Sequence, residues 1–391
     1  MNIVIIRSNQ VNPDPRVEKL AEVLVKNRNR VVIMAWNRNE FYLPSEQLVE
    51  IDDFLYKIVR IRISAGYGRG LSNFFPMLKW QIFLFLWLVK NRDIYDIIHA
   101  CDFDTIIPSI LVKLLFKKKV IYDIFDYYVD SFKIPSFFKP IIRFFDKVAM
   151  KISDKIILCD ENRLKQISFY NLKKIEIIQN TPKDMLFYFR SNPNYLYRKN
   201  SNLTLAYVGI LQEGRFIKEM IEIFKRHPEW NLIIGGFGPL ESEIMRNMRE
   251  NIIFLGRLSY VDALRVYYES DAIFAIYDPS IPNHKFSSPN KLFEAMMLSK
   301  PIIVAKGTGI DKLVTEEKIG IAVDYDNIKD TEEALRSLEN KLYRESLGRR
   351  GRELYERKYS IEIIERKIIS IYNEVSKYFI NKKYENPAYY R

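Results

Sequence analysis

The stretch FSSPNKLFEAMMLSKPIIVAKGTGID, Phe286–Asp311, decides how the chain is read. Ser288 is a good N-cap and Pro289 a good first helical residue, so the sequence predicts a helix from here to about Leu298. Lys291 then falls in the first turn, where the helix dipole disfavours a cation by roughly 0.3–1 kcal/mol. An anion held at this end removes the conflict, because free backbone N–H groups and a lysine would bind it together. Asn290 stands beside Lys291, and Glu294 lies three residues on, on the same face. Leu292, Ala295 and Met296 carry the buried side. PIIVA follows as a short apolar run of the kind a parallel strand buried on both faces shows, and Gly307 and Gly309 then let the chain approach a ligand. Taken alone, this unit of helix, strand and glycine turn fits any α/β repeat.

Upstream, the same alternation recurs. LTLAYVGIL is a strand, and QEGRFIKEMIEIFKRH is a helix preceded by Gly209 and Gly214 and bearing Arg215 and Lys218. WNLIIGGFGPLESEI is a strand, a turn with Gly235, Gly236 and Gly238, and a helix; a turn of this kind lets amides approach phosphate. NIIFLGRL, SYVDALRVYYESD and AIFAIYD continue the pattern, making five strand and helix units in this half. After Asp324 the sequence is helical and ends in a long amphipathic helix.

The first half repeats the theme. NIVIIR is a strand, Asp14 caps and Pro15 opens a helix, and VVIMAWN is a second strand, as in a doubly wound sheet. Ligands of such sheets bind beyond the C-terminal strand ends, which makes Asn12 and Arg16 acceptor-side candidates. DIIHA delivers His99, Cys101, Asp102 and Asp104 to one strand end, and KKKVIYDIFDYYVD places Asp123 on a strand and Asp126 just past it. From Asp184 to Asn202 periodicity is lost and Asn, Ser and Pro accumulate, which reads as a linker.

At 391 residues the chain is too long for one core, and 48% hydrophobic against 28% charged residues is a globular balance. The opening MNIVIIR reads as a strand and not as a signal peptide. The longest apolar run, Ile82 to Val89, falls far short of the roughly 20 residues that span a bilayer, so a cytoplasmic protein is expected. Two cysteines, Cys101 and Cys159, point to reduced thiols, with no disulfide scaffold or zinc cluster. Residues 1–190 hold 30 Lys/Arg against 21 Asp/Glu, and residues 191–391 hold 31 against 28. The basic excess therefore lies in the first half.

Two segments there, residues 74–90 and 132–151, interleave aromatics with cations. In the second, Phe132, Phe137, Phe138, Phe144 and Phe145 alternate with Lys133, Lys139, Arg143, Lys147 and Lys151. That pattern suits a helix lying in the interface of an anionic membrane, on the inner face of the cell membrane. An ordinary core helix with a solvated basic face explains it as well. Nucleic acid is the least favoured partner, because the basic residues lie among apolar aromatics and no nucleic-acid motif is present.

Five pieces in order, DPRVEKLAEVL with VVIMAWN, DIIHACDFDT, YVGILQEGR, LIIGGFGPLE with IIFLGRLS, and SPNKLFEAMMLSKPIIVAKGTGI, make the chain resemble retaining glycosyltransferase family 4. The resemblance implies α/β architecture of the GT-B type, with two Rossmann-like doubly wound domains facing each other across a cleft. It also implies transfer of a sugar from a nucleoside diphosphate sugar, as co-substrate, to a glycan or lipid-linked acceptor with retained configuration, with no metal and no further cofactor. Glu294 matches the second glutamate of the family's paired motif and would bind the ribose, while Phe286 stands where the first glutamate reads the sugar. Ile210 and Arg215 occupy the family's basic pair, with Lys291 offering a second charge. Gly256 and Leu258 match the turn that holds the base. His99 and Asp102 match the family's His-Ala-His-Asp segment, with Cys101 in place of its second histidine, and His99 is expected to position and not to act as base. Asp126 is a further catalytic candidate.

The domains expected are 1–185 for the acceptor, with a C-terminal helix at about 361–380 packed back onto it, a linker 186–203, and 204–360 for the nucleotide sugar. Two other readings of the same fold stay open: a sugar-nucleotide epimerase or phosphorylase, and a binding scaffold without turnover.

Overall fold

The computed structural model describes residues 1–11, 14–38, 43–66, 70–131, 134–169, 171–193 and 203–385, without side chains at 70–71 and 378–385. The chain divides into two compact units, residues 1–178 with 365–391, and residues 179–364. Asn12, Phe132 and Lys133 lie outside the described residues.

The first unit runs β1 (Asn2–Arg7), α1 (Pro15–Lys26), β2 (Arg30–Asn37), β3 (Glu46–Ile51), β4 (Phe54–Arg62), α2 (Phe74–Lys90), β5 (Ile97–Cys101) and α3 (Phe103–Phe116). It continues with β6 (Lys119–Ile124), α4 (Tyr128–Ser131), α5 (Lys139–Ile152), β7 (Lys155–Leu158), α6 (Arg163–Ile167) and β8 (Ile175–Ile177). The sheet order is β3-β4-β2-β1-β5-β6-β7-β8, parallel except for the β3/β4 hairpin at one edge. That hairpin is formed by residues the sequence reading passes over.

Asp14 caps α1 by accepting from the Val17 amide at 3.3 Å, with Pro15 as its first residue. One face of the sheet is covered by α2, α3 and α5, whose inner residues join Val4, Ile98, Val120 and Ile156 in a single core. Trp36 stacks on Trp80 at 5.3 Å, and Trp80 and Gln81 of α2 both donate to the Asp104 carbonyl, so α2 is pinned to the start of α3. Burying two such side chains is worth several kcal/mol, on about 25 cal/mol per Å² of apolar surface.

The second unit runs α7 (Leu186–Ser191), β9 (Leu203–Ile210), α8 (Ile217–Arg226), β10 (Trp230–Phe237), α9 (Glu241–Arg246), β11 (Ile252–Phe254), α10 (Tyr260–Glu269) and β12 (Ala272–Ala275). It goes on through α11 (Pro282–Lys285), α12 (Asn290–Met297), β13 (Ile302–Ala305), α13 (Ile310–Glu316), β14 (Gly320–Val323), α14 (Ile328–Glu339) and α15 (Lys341–Leu354), before α16 (Ile361–Glu385). Its sheet is all parallel in the order β11-β10-β9-β12-β13-β14, one strand more than the five expected. Strand interiors such as Ile233, Ile273 and Val304 are fully buried, as near-continuous apolar runs in a parallel sheet require.

Three expectations are corrected. Residues 186–191, read as linker, form α7, because Phe189 is fully buried, stacks on Tyr268 at 5.5 Å and lies under the Arg265 guanidinium at 4.9 Å. The change of unit comes earlier, between 178 and 179. Helix α12 begins one residue later than the capping pattern suggests, with Pro289 as its cap, and the Ser288 hydroxyl makes no capping bond.

Candidate functional site

In each sheet the strand order reverses beside one strand, at β1/β5 in the first unit and β9/β12 in the second. Crevices at such reversals, outside the carboxyl ends of the strands, are where doubly wound sheets bind ligands.

At the β9/β12 reversal, Lys291 enters from the first turn of α12. It is 8% exposed, its Nζ lies 4.3 Å from the Tyr207 ring centre, and it makes no ion pair among the described residues. Burial works against its charge, but Tyr267, Tyr277, Tyr207 and the Glu294 carboxylate outweigh it and raise its pKa. Its Nζ sits 2.8 Å from where a Cβ on Gly209 would stand, so a side chain at 209 would push the ammonium from this place. The Arg215 guanidinium lies 3.9 Å from the Tyr277 ring centre. Both cations bear on Tyr207, whose hydroxyl donates to the Ile210 carbonyl at 2.9 Å.

Four buried side-chain atoms in this region have no hydrogen-bond partner among the described residues: Arg215 Nε, Asn283 Oδ1, His284 Nδ1 and Ser288 Oγ. Each such atom costs about 1–3 kcal/mol, and a polar ligand that reaches them recovers it. His284 is 4% exposed and packs on Tyr277 at 5.4 Å. Burial and the nearby Arg215 charge push its pKa down to about 4. Glu294 is buried and accepts a hydrogen bond from Tyr260; burial raises its pKa, with Lys291 and Tyr260 acting against the rise. Asn290 reaches Asn180 at 3.0 Å.

Gly235 and Gly236, expected in a turn, lie inside β10, and Gly238 just follows it. A Cβ on Gly236 would be driven into the Gly209 carbonyl, and one on Gly238 into the Leu211 carbonyl. The Gly236 amide donates to the Gly256 carbonyl at 2.7 Å, and the Gly238 amide to Glu241 at 2.7 Å. Both amides have protein partners, and close backbone packing by itself requires glycine at 236 and 238. Leu258 packs against the same stretch, 2.8 Å from a Cβ position on Gly235.

At the β1/β5 reversal lies a buried ionic cluster. Arg16 pairs with Asp123 at 2.7 Å, and His99 lies between the Asp123 carboxylate at 3.3 Å and the Tyr372 hydroxyl at 2.8 Å. Burial opposes ionisation of Asp123, but Arg16 and His99 hold its pKa below the ordinary value. Asp102 pairs with Arg7, which also pairs with Asp14 at 2.9 Å, and it accepts from the Phe125 and Asp126 amides. Burial pushes the Asp102 pKa up to about 6 against the pull of Arg7. Arg7 and Arg16 both lie over the Phe125 ring.

His99 sits where a positioning residue would, and Asp102 and Arg16 are tied into the ion pairs of the same cluster. His99 has no exposed surface, because Tyr372 and Asp123 close over the imidazole and engage both ring nitrogens, while Arg16 is held by Asp123 and the Ile178 carbonyl. These residues position strand ends. Asp126, paired with Arg163 at 2.7 Å and with half its side chain exposed, is the candidate here that solvent reaches. Arg7 and Tyr372 escaped the sequence reading. Arg7 ends the first strand, a place where a charge signals a functional end of the sheet, but Tyr372 carries no local signal.

Comparison with known proteins gives the following likenesses. The chain is 27% identical over 244 residues to the capsular polysaccharide biosynthesis glycosyltransferase CapM of Staphylococcus aureus, covering 58% of this chain and 63% of that protein. It is 26% identical over 239 residues to the uncharacterized glycosyltransferase MJ1178 of Methanocaldococcus jannaschii, covering 60% and 63%. The chain thus spans less than two thirds of the length of either relative. In structure it resembles sucrose-phosphate synthase from Thermosynechococcus elongatus, with a TM-score of 0.74 at 14% identity, covering 96% of this chain and 99% of that one. It also resembles Anabaena HepE in complex with UDP and glucose, with a TM-score of 0.68 at 13% identity, covering 96% and 100%. The fold is the α/β GT-B type of these glycosyltransferase structures. Residues 203–341, which hold Arg215, Lys291 and Glu294, match the family of glycosyl transferases group 1.

Proposed function

We propose that the protein is a retaining, metal-independent glycosyltransferase that binds a nucleoside diphosphate sugar in its second unit and glycosylates a hydroxyl of a glycan or lipid-linked acceptor. The observation that carries this reading is the pair of cations Lys291, in the first turn of α12, and Arg215, which both bear on Tyr207, are not ion-paired among the described residues and lie within the group 1 match. A diphosphate supplies the charge this site lacks. Guanidinium, ammonium and helix N–H groups together offset it, so the chemistry calls for no metal. Glu294 is the candidate for the ribose, with Tyr260 fixing its carboxylate.

In the reaction the bond from the anomeric carbon to the phosphate oxygen breaks, the acceptor oxygen bonds to the same carbon, and the acceptor proton passes to the leaving diphosphate. Stabilising that leaving group is the main catalytic demand, and Lys291 and Arg215 are placed to meet it.

A thermal-shift screen of UDP, GDP, ADP and dTDP with their sugars tests the reading, because a ligand bound only by the native state raises its stability. UDP comes first, as the nucleotide in the HepE complex. Lys291→Met should weaken diphosphate binding about 10- to 100-fold, the worth of a charge-assisted hydrogen bond, without lowering the melting temperature. No response to any diphosphate would refute the reading. Binding without sugar transfer to any glycan would favour a scaffold, and conversion of the sugar without acceptor would favour an epimerase.

A further inference from the structure

The outer face of α2, α3 and α5 goes beyond the donor chemistry. The three helices lie on one side of the first sheet and share its core, so their solvent sides point the same way. Those sides are apolar. Phe75, Ile82 and Leu86 of α2 and Phe144 of α5 stand more than half exposed, and α3, which the sequence reading did not single out, adds Leu114 and Leu115 between them. Phe75 at 71%, Leu115 at 62% and Phe144 at 61% are exposures with no explanation inside the unit. An apolar surface continuous over three helices marks an interaction site.

The charge on these helices selects the occupant. Their only acidic residues, Asp104 and Asp146, are 5% and 1% exposed, Asp146 being held by the Tyr122 hydroxyl at 2.6 Å. Lys79, Lys90, Arg143, Lys147 and Lys151 are exposed. A second copy meeting this face by two-fold symmetry would set cations against cations with no exposed carboxylate on the helices to answer them. An anionic lipid surface supplies both an apolar interior for the Phe and Leu side chains and negative headgroups for the Lys and Arg. No helix among the described residues is long and apolar enough to cross a membrane, which leaves docking in the plane of the interface.

We propose that α2, α3 and α5 together form a docking face for an anionic bilayer, with α3 filling the centre of the patch.

The test uses the full chain and vesicles of phosphatidylcholine alone or with about one-third phosphatidylglycerol, in a flotation assay at low and high salt. Binding to the anionic vesicles at low salt, weakened by salt, is expected. Combined Lys90→Gln, Lys147→Gln and Lys151→Gln should reduce it about 100-fold, on the contribution each cation makes near such a surface. Leu114→Glu with Phe144→Glu should abolish it. All five positions are exposed, and an unchanged melting temperature and unchanged diphosphate response in the second unit show that the variants are folded. Equal binding by wild type and variants, no binding by the wild type at low salt, or self-association that the glutamate variant abolishes while vesicles are ignored, would each overturn the proposal. Because vesicle binding needs no turnover, it can fail while the donor reading stands, and the reverse.

Discussion

His284 gives the second unit a dependence on pH that one substitution should remove. The folded protein keeps this imidazole neutral down to about pH 4, against an ordinary value of 6.5, through burial and the Arg215 charge, with Asp278 opposing them weakly. Above pH 6.5 the residue is neutral in both folded and unfolded chains, and its contribution to stability is fully present. As pH falls below that, the unfolded chain takes up a proton that the folded chain refuses, and stability is lost until the folded pKa near 4 is reached. At about 1.4 kcal/mol for each pH unit, the loss is about 2 kcal/mol between about pH 7.5 and pH 5 and about 3 kcal/mol by about pH 4.

The assay is urea unfolding of wild type and His284→Gln at both ends of this range. Carboxylates common to both proteins cancel in the comparison, so the wild type should lose about 2 kcal/mol more than the variant on going to about pH 5. A diphosphate that neutralises the field of Arg215 should also shrink the difference. Identical pH profiles for the two proteins would refute the reasoning, since they would mean that His284 is not held neutral.

Gly236→Ala should destabilise the second unit by about 3 kcal/mol or more, because its Cβ meets a backbone carbonyl that cannot give way; a melting curve decides it. Tyr372→Phe should cost about 1–3 kcal/mol by orphaning the buried His99 nitrogen, with kcat and KM for the donor little changed if His99 only positions strand ends. Sugar transfer should persist in a strong chelator of divalent ions, and its loss there would count against Lys291 and Arg215 as sufficient charge for the diphosphate.

How much was legible depends on how local the physics is. Strands such as VVIMAW and the capped start of α1 declare themselves through runs and caps of a few residues, so the parallel α/β pattern was readable. Lys291 was readable for the same reason, as a cation at the wrong end of a helix. Gly236 was visible, but only the neighbouring strand reveals that a Cβ there strikes Gly209. His99 looked open because nothing near it in sequence shows that Tyr372, 273 residues later, covers it. The residues 186–191 resembled a linker because their polar neighbours hid Phe189, whose partner Tyr268 is far along the chain. His284 went unnoticed because a lone histidine in a one-turn helix carries no signal until Arg215 is placed beside it.

The contact of Tyr372 with His99 also sets an order of assembly. The first unit is made first, yet Ile368, Ile371, Tyr372 and Val375, all buried, complete it from beyond the entire second unit. At about 5–20 residues per second of synthesis, the sheet that ends at β8 waits roughly 10–40 s for this helix. Throughout that time the imidazole of His99 and the surface under α16 stand open, while the second unit can already fold. The unit read first from the message is thus the one finished last, and its early form is where chaperones would be needed.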